Sequence, residues 1–238
     1  MSVVTLKIDG VDVAIAAGSS VMQAAQEASV EIPRLCYLEG LSTVGSCRLC
    51  VVEIAGINKL LPACTTEVRE GMDVTTQSPK LQDYRRMVLE LLFGEGNHVC
   101  AICVANGNCE LQDMAIAVGM DHSRFPYRFP DRKADLSHTQ FGIDHNRCIL
   151  CTRCVRVCDE IEGAHVWDVS QRGEFCHITS GLDQPWGDVD ACTACGKCVD
   201  ACPTGAIFRK NDTTGEKVGD REKLEFLVKA RENREWVR

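Results

Sequence analysis

The sequence predicts an α+β protein: a small N-terminal sheet crossed by one helix, a short helical segment, and a C-terminal unit with an internal repeat. Three observations carry this reading. Apolar and polar residues alternate over much of the first 78 residues, which marks strands. From Ser78 the apolar period changes to three or four residues. Finally, 16 of the 238 residues are cysteine, and the pattern C-x2-C-x2-C-x3-C occurs twice, 44 residues apart.

The elements follow in order. VTLKIDGVDVAI alternates around Asp9-Gly10, a pair suited to a tight hairpin turn. Ser19 or Ser20 can cap a short helix, VMQAAQEA, that ends before the Ile32-Pro33 break. RLCVVEI and MDVTT are further β-rich runs. Leu81, Tyr84, Met87 or Val88, and Leu91 then line one face of a helix with Ser78 as cap, Pro79 in the first turn and Gly94 past its end. Residues 121–138 hold two prolines and many charges without a period, so they read as a connector. The resulting division is residues 1–78, 79–120, a connector at 121–140, a repeat unit at 141–210 and a charged, helical tail at 211–238 with Leu224, Leu227 and Val228 on one side.

Composition excludes several classes. With 26 Lys and Arg against 34 Asp and Glu the chain carries a formal charge of -8, and a phosphate backbone would repel it. No run of about 18 apolar residues occurs, and MSVVTLKIDG lacks the parts of a secretory signal. The expectation is a cytoplasmic protein without a membrane span, with peripheral attachment through a complex left open. In a reducing compartment clustered thiols more often bind metal than form disulfides.

Spacing narrows the metal. A [4Fe-4S] cube needs one ligand per corner iron, and C-x2-C-x2-C on a tight loop supplies three while a distant fourth closes the set. Zinc sites tend instead to use two separated C-x2-C pairs. CILCTRCVRVCDE and CTACGKCVDACPT match the two-cluster bacterial ferredoxin pattern, down to Pro203 after the last cysteine. Because the fourth cysteine of each such run serves the other cluster, Cys148, Cys151, Cys154 and Cys202 are assigned to one cube, and Cys192, Cys195, Cys198 and Cys158 to the second. Cys36, Cys47, Cys50 and Cys64 form C-x10-C-x2-C-x13-C, suited to a [2Fe-2S] rhomb, with structural zinc as the alternative. Cys100, Cys103 and Cys109 leave one corner of a cube open, for which His98 is the candidate, since imidazole can replace thiolate at iron. Cys176, in GEFCHITS, has no partner at ligand spacing and reads as a packed thiol.

VGSCRLCVVEI, the histidine with CxxCxxxxxCELQ, and the two cysteine runs, in this order, resemble the iron-sulfur module of the large subunit of NADH:quinone oxidoreductase and of iron-only hydrogenases. The likeness is greatest to the small diaphorase subunit of the soluble, bidirectional NAD-linked nickel-iron hydrogenase. That resemblance implies an N-terminal β-grasp sheet similar to plant-type ferredoxins, a small histidine/cysteine cluster domain and a C-terminal two-[4Fe-4S] bacterial-ferredoxin-like domain. It also implies electron transfer between a flavin- and NAD-binding diaphorase subunit and nickel-iron hydrogenase subunits, in reversible H2 oxidation coupled to NAD+ reduction. In relatives the ligand histidine stands four residues before the first cysteine, where this sequence has Gly96, so His98 is a shifted candidate. Neither G-x-G-x-x-G nor G-x4-G-K-[ST] occurs, so FMN, NAD and the nickel-iron centre are expected only on partner subunits, with no catalytic residue in this chain. The stretch after Cys202 is expected to be too short for a catalytic cluster. The equivalent subunit of an NAD-linked formate dehydrogenase, a free polyferredoxin and a zinc-stapled structural protein are the alternatives.

Overall fold

A computed structural model describes residues 2–211. The chain forms two compact units. Among the described residues the sheet unit comprises 2–37, 43–90 and 114–122, and the cysteine unit comprises 38–42, 91–113 and 123–211. The tail expected at 211–238, with its Leu224, Leu227 and Val228 face, lies outside the described residues apart from Asn211.

In the sheet unit, β1 (Val3–Ile8) and β2 (Val11–Ala16) form the expected hairpin, with Asp9 and Gly10 both at positive φ, as a tight turn between twisted strands requires. β3 (Val51–Ile54), β4 (Ile57–Pro62) and β5 (Asp73–Thr75) complete a five-stranded sheet in the order β2-β1-β5-β3-β4. Only the β1–β5 pairing is parallel. α1 (Val21–Glu27) is capped by Ser20, whose side chain accepts from Gln23 N while the Gln23 side chain accepts from Ser20 N, a reciprocal capping box. Its apolar face, Val21, Met22, Ala24 and Ala25, packs with Leu6, Ile8, Val52 and Val74 into an aliphatic core.

α2 (Pro79–Glu95) begins where expected, with Leu81 N donating to the Ser78 hydroxyl. Its end differs: Gly94 lies inside the helix rather than past it. The Gly94 carbonyl accepts from Arg128 N, so the connector supplies a partner that continues the last turn.

In the cysteine unit the elements are short. α3 (Glu110–Ala117) starts there, followed by β6 (Ala134–Asp135) and β7 (Phe141–Asp144). α4 (Arg153–Val157) runs into a π turn at Cys158–Glu162, and the hairpin of β8 (Trp167–Ser170) and β9 (His177–Ser180) follows. α5 (Lys197–Ala201) and β10 (Ile207–Arg209) complete the unit. β6 lies inside the segment read as a connector and pairs with β7, which pairs with β10 on its other side. Two residues of strand carry too little periodicity to read from sequence.

Candidate metal centres

In the sheet unit the β3–β4 hairpin brings Cys50, one residue before β3, level with Cys64, two residues after β4. Ala63 N donates to the Cys50 carbonyl at 2.9 Å, and the two sulfurs stand 3.5 Å apart. Cys36 N donates to the Cys47 sulfur at 3.4 Å, and the Cys36 thiol also meets those of Cys47 and Cys64. Hydrogen bonding among the four pulls the Cys36 and Cys50 pKa values down and pushes those of Cys47 and Cys64 up. Gly45 bends the loop at positive φ, and a Cβ there would come within 3.2 Å of the Thr65 side chain. From α2 the buried Arg85 guanidinium donates to the carbonyls of Leu49, Val51 and Thr76 at 2.9–3.2 Å, pinning the backbone on both sides of Cys50. Burial lowers the Arg85 pKa, and the neighbouring Cys50 opposes that shift.

The cysteine unit encloses three small voids of about 20 Å³ each, and the predicted ligand sets line them. The first is bordered by His98, Cys100, Cys103 and Cys109. His98 is held neutral, its pKa lowered to about 4 by burial first and by the Arg147 charge second. Its ring hydrogen-bonds the Leu92 carbonyl, and Nε2 is buried without a partner, so Nδ1–H is the donor and Nε2 offers a free lone pair. A metal-binding imidazole has this arrangement, its second nitrogen anchored on a carbonyl. Gly96 makes it possible: a Cβ there would stand 2.4 Å from His98 Nε2, so the ring fills the space that a side chain at 96 would take. Gly205 plays a similar part, since its Cβ would meet the Cys103 sulfur at 2.8 Å. Burial pushes the Cys109 thiol up to about 11.

The two cysteine runs repeat in backbone as well as in sequence. Leu150 and Thr152 in the first, and Ala194 and Gly196 in the second, occupy equivalent positions, and all four have positive φ. Three of the four are not glycine, so this turn is held against its intrinsic cost. Each run then enters a five-residue helix carrying its third cysteine, Cys154 on α4 and Cys198 on α5. One void is lined by Cys148, Cys151, Cys154 and Cys202, the other by Cys192, Cys195, Cys198 and Cys158. Each thus takes its fourth thiol from the opposite run. Burial raises the thiols of Cys148, to about 12, and of Cys151, to about 11. Cys195 is the exposed member. Cys176 is half-buried and borders a larger cavity with His145 and His177.

Several residues around these voids have no local signature in the sequence. Arg153, 2% exposed, forms a two-pronged pair with Glu110 at 2.7–2.8 Å, tying the start of α3, next to Cys109, to the start of α4. Arg156 donates to the carbonyls of Ser42, Cys151 and Thr152. These partners lie up to 114 positions away in sequence, beyond the reach of any spacing rule. None of the sixteen cysteines is in a disulfide. Among the described residues no three His, Cys, Asp or Glu side chains close on a point that a single metal ion would fill. No helix among them is long and apolar enough to cross a membrane.

Three family models match the chain: a 2Fe-2S iron-sulfur cluster binding domain over residues 2–79, the NADH-ubiquinone oxidoreductase-G iron-sulfur binding region over 85–124, and the NADH-quinone oxidoreductase subunit 3 ferredoxin-like domain over 140–208. Cluster-binding domains of both iron-sulfur types are therefore present. The chain is 34% identical over 229 residues to the gamma subunit of the NAD-reducing hydrogenase HoxS of Cupriavidus necator, covering 96% of each protein. It is 39% identical over 207 residues to the G 2 subunit of NADH-quinone oxidoreductase of Rhizobium meliloti, a match that covers 86% of this chain but only 24% of that longer relative. Among solved structures, a chain of NAD+-reducing [NiFe]-hydrogenase in the H2-reduced state superposes with a TM-score of 0.83 at 34% identity, covering 92% of this chain and 94% of that one.

Proposed function

Because this chain belongs to the family of iron-sulfur subunits found in NAD-linked hydrogenases and NADH:quinone oxidoreductases, we propose that it carries electrons between a flavin- and NAD-binding diaphorase subunit and a nickel-iron hydrogenase module in the cytoplasm. The observation that carries this reading is the gathering of fifteen of the sixteen cysteines into four separate sets, three of them around voids of equal size. Iron-sulfur clusters bound there would each supply a one-electron site.

In this reading Cys36, Cys47, Cys50 and Cys64 hold one [2Fe-2S] cluster, and His98, Cys100, Cys103 and Cys109 hold a [4Fe-4S] cluster. Cys148, Cys151, Cys154 and Cys202 hold a second cube, and Cys192, Cys195, Cys198 and Cys158 the third. The domains are 1–78, 79–120 and 141–210, joined by the connector at 121–140. The free lone pair of His98 Nε2 supports imidazole as the fourth ligand of its set. The tandem C-x2-C-x2-C-x3-C runs, unlike the two separated C-x2-C pairs of most zinc sites, favour iron-sulfur over mononuclear zinc. The buried guanidinium groups of Arg85, Arg153 and Arg156 offset part of the negative charge that thiolates bring. The match over nearly the whole length of a hydrogenase subunit favours that complex over a formate dehydrogenase or a free polyferredoxin.

Purification of the native complex tests the proposal. Flavin and nickel should accompany this chain, and NADH or H2 alone should reduce the same clusters, seen by visible bleaching and electron paramagnetic resonance. A chain that purifies without either partner, or clusters that neither donor reduces, would contradict it.

A further inference from the structure

The sulfur of Cys192 is approached by two side-chain N–H groups from outside the cysteine patterns, one six and one 54 residues away. The Trp186 indole Nε1–H donates to it at 3.3 Å, and His138 Nε2 stands 3.8 Å away. The tautomer of His138 follows from its other nitrogen. Nδ1 accepts from both Gln140 N at 3.1 Å and Phe141 N at 3.2 Å, so it carries no proton, and Nε2 must carry the hydrogen that faces the sulfur.

Neither ring is free to turn away. His138 stacks on both Phe141, at 5.0 Å, and Trp186, at 4.7 Å, and those two rings stack on each other at 5.5 Å. Trp186 is 1% exposed. Its backbone is clamped by the segment that carries His138: Trp186 N donates to the Asp135 carboxylate at 2.7 Å, and Gly187 N donates to the Ser137 hydroxyl at 2.8 Å. Gly187 has no room for a Cβ, which would stand 2.6 Å from the Ser137 carbonyl. Lys210 holds the His138 carbonyl at 2.6 Å. The geometry therefore presents two preset donors to one sulfur. Cys148, in the equivalent position of the other run, accepts instead from the backbone, Leu150 N at 3.4 Å.

An N–H bond to a ligand sulfur withdraws negative charge and stabilises the reduced state more than the oxidised one, which raises the reduction potential. We propose that His138 and Trp186 are positioning residues that hold the cluster of Cys158, Cys192, Cys195 and Cys198 at a raised potential through paired N–H···S bonds to Cys192. This rests on the ligand assignment above, and the experiment separates the two.

The full chain is reconstituted with iron and sulfide and titrated potentiometrically, with each cluster followed by its electron paramagnetic resonance signal. Trp186→Phe keeps an aromatic ring in the stack and removes the indole donor. His138→Leu removes the imidazole donor, and His138→Gln can restore it through its amide. The expected result is a downward shift of one [4Fe-4S] midpoint in Trp186→Phe and in His138→Leu, with the reduced-to-oxidised ratio at the parent midpoint falling about tenfold. The other signals should stay put, and His138→Gln should recover part of the shift. If Trp186→Phe fails to fold, the His138 pair decides. Intact clusters with unchanged midpoints in the donor variants overturn the proposal. Cys192→Ala provides the control: retention of every cluster in that variant overturns the ligand assignment itself, and the proposal with it.

Discussion

The sheet unit and the cysteine unit bind their sulfur sites by different structural means. In the sheet unit Leu6, Ile8, Val13, Val21, Met22, Ile32, Val52 and Val74 form an aliphatic core between five strands and α1, and Cys50 and Cys64, flanking the β3–β4 hairpin, are buried members of it. In the cysteine unit Cys154, Cys158 and Cys198 are themselves core residues, with Cys148, Cys192 and Cys202 packed against them. Its strands have two to four residues and α4 and α5 have five, too short to persist without tertiary support. One unit rests on a regular five-stranded sheet; the other rests on short elements packed around its cysteines, Phe141, Trp167 and Trp186.

The largest expected effect follows from that contrast. Removing iron with a chelator under reducing conditions should collapse amide protection throughout the cysteine unit while β1, β2 and β3 remain protected, as followed by hydrogen exchange. Equal loss in both units would show that the sheet core is not self-sufficient. Next in size, Cys158→Ala should damage the cluster of the 192–198 run and Cys202→Ala that of the 148–154 run. In each variant one [4Fe-4S] signal should vanish or convert to a three-iron form. Damage confined to each cysteine's own run would break the crossover.

Smaller effects probe what lies between the ligands. Arg153→Leu strands the Glu110 carboxylate and should cost about 3 kcal/mol in denaturant unfolding. Pairing it with Glu110→Leu should recover most of that loss, and no recovery would show that Arg153 acts elsewhere. The mildest change is Ser78→Ala in the sheet unit, which should cost about 1 kcal/mol through the lost cap of α2. The same hydroxyl, ahead of Lys80, holds the Glu53 carboxyl below its ordinary pKa. A lowered folded pKa stabilises above the unfolded value and is lost as pH falls through the folded one. Ser78→Ala should therefore flatten the acid side of the stability profile, and an unchanged profile would remove Ser78 from that role.

Local chemistry was legible in the sequence, and long-range packing was not. Asp9-Gly10 announced its hairpin, Ser20 its capping box and Ser78 its helix start, because each signal lies within a few residues of its effect. Within each cysteine run the C-x2-C-x2-C spacing is likewise a short-range signal, whereas Cys158 and Cys202 join the opposite run's void only through the fold. Gly94 misled because the partner that continues the helix, Arg128 N, comes from the connector. Arg153 with Glu110, and His138 with Cys192, were invisible because they are joined only by the completed fold. His98 lies between these cases: its nearness to Cys100 was plain, but the empty side-chain space at Gly96 that admits its ring appears only in three dimensions.

The most direct test of the central claim is metal analysis of the full chain after anaerobic reconstitution, with iron and zinc measured against protein. One [2Fe-2S] and three [4Fe-4S] clusters predict about 14 irons per chain and essentially no zinc. Iron near about 6 per chain, with zinc filling the balance, would contradict the assignment of these cysteines to an electron-carrying array.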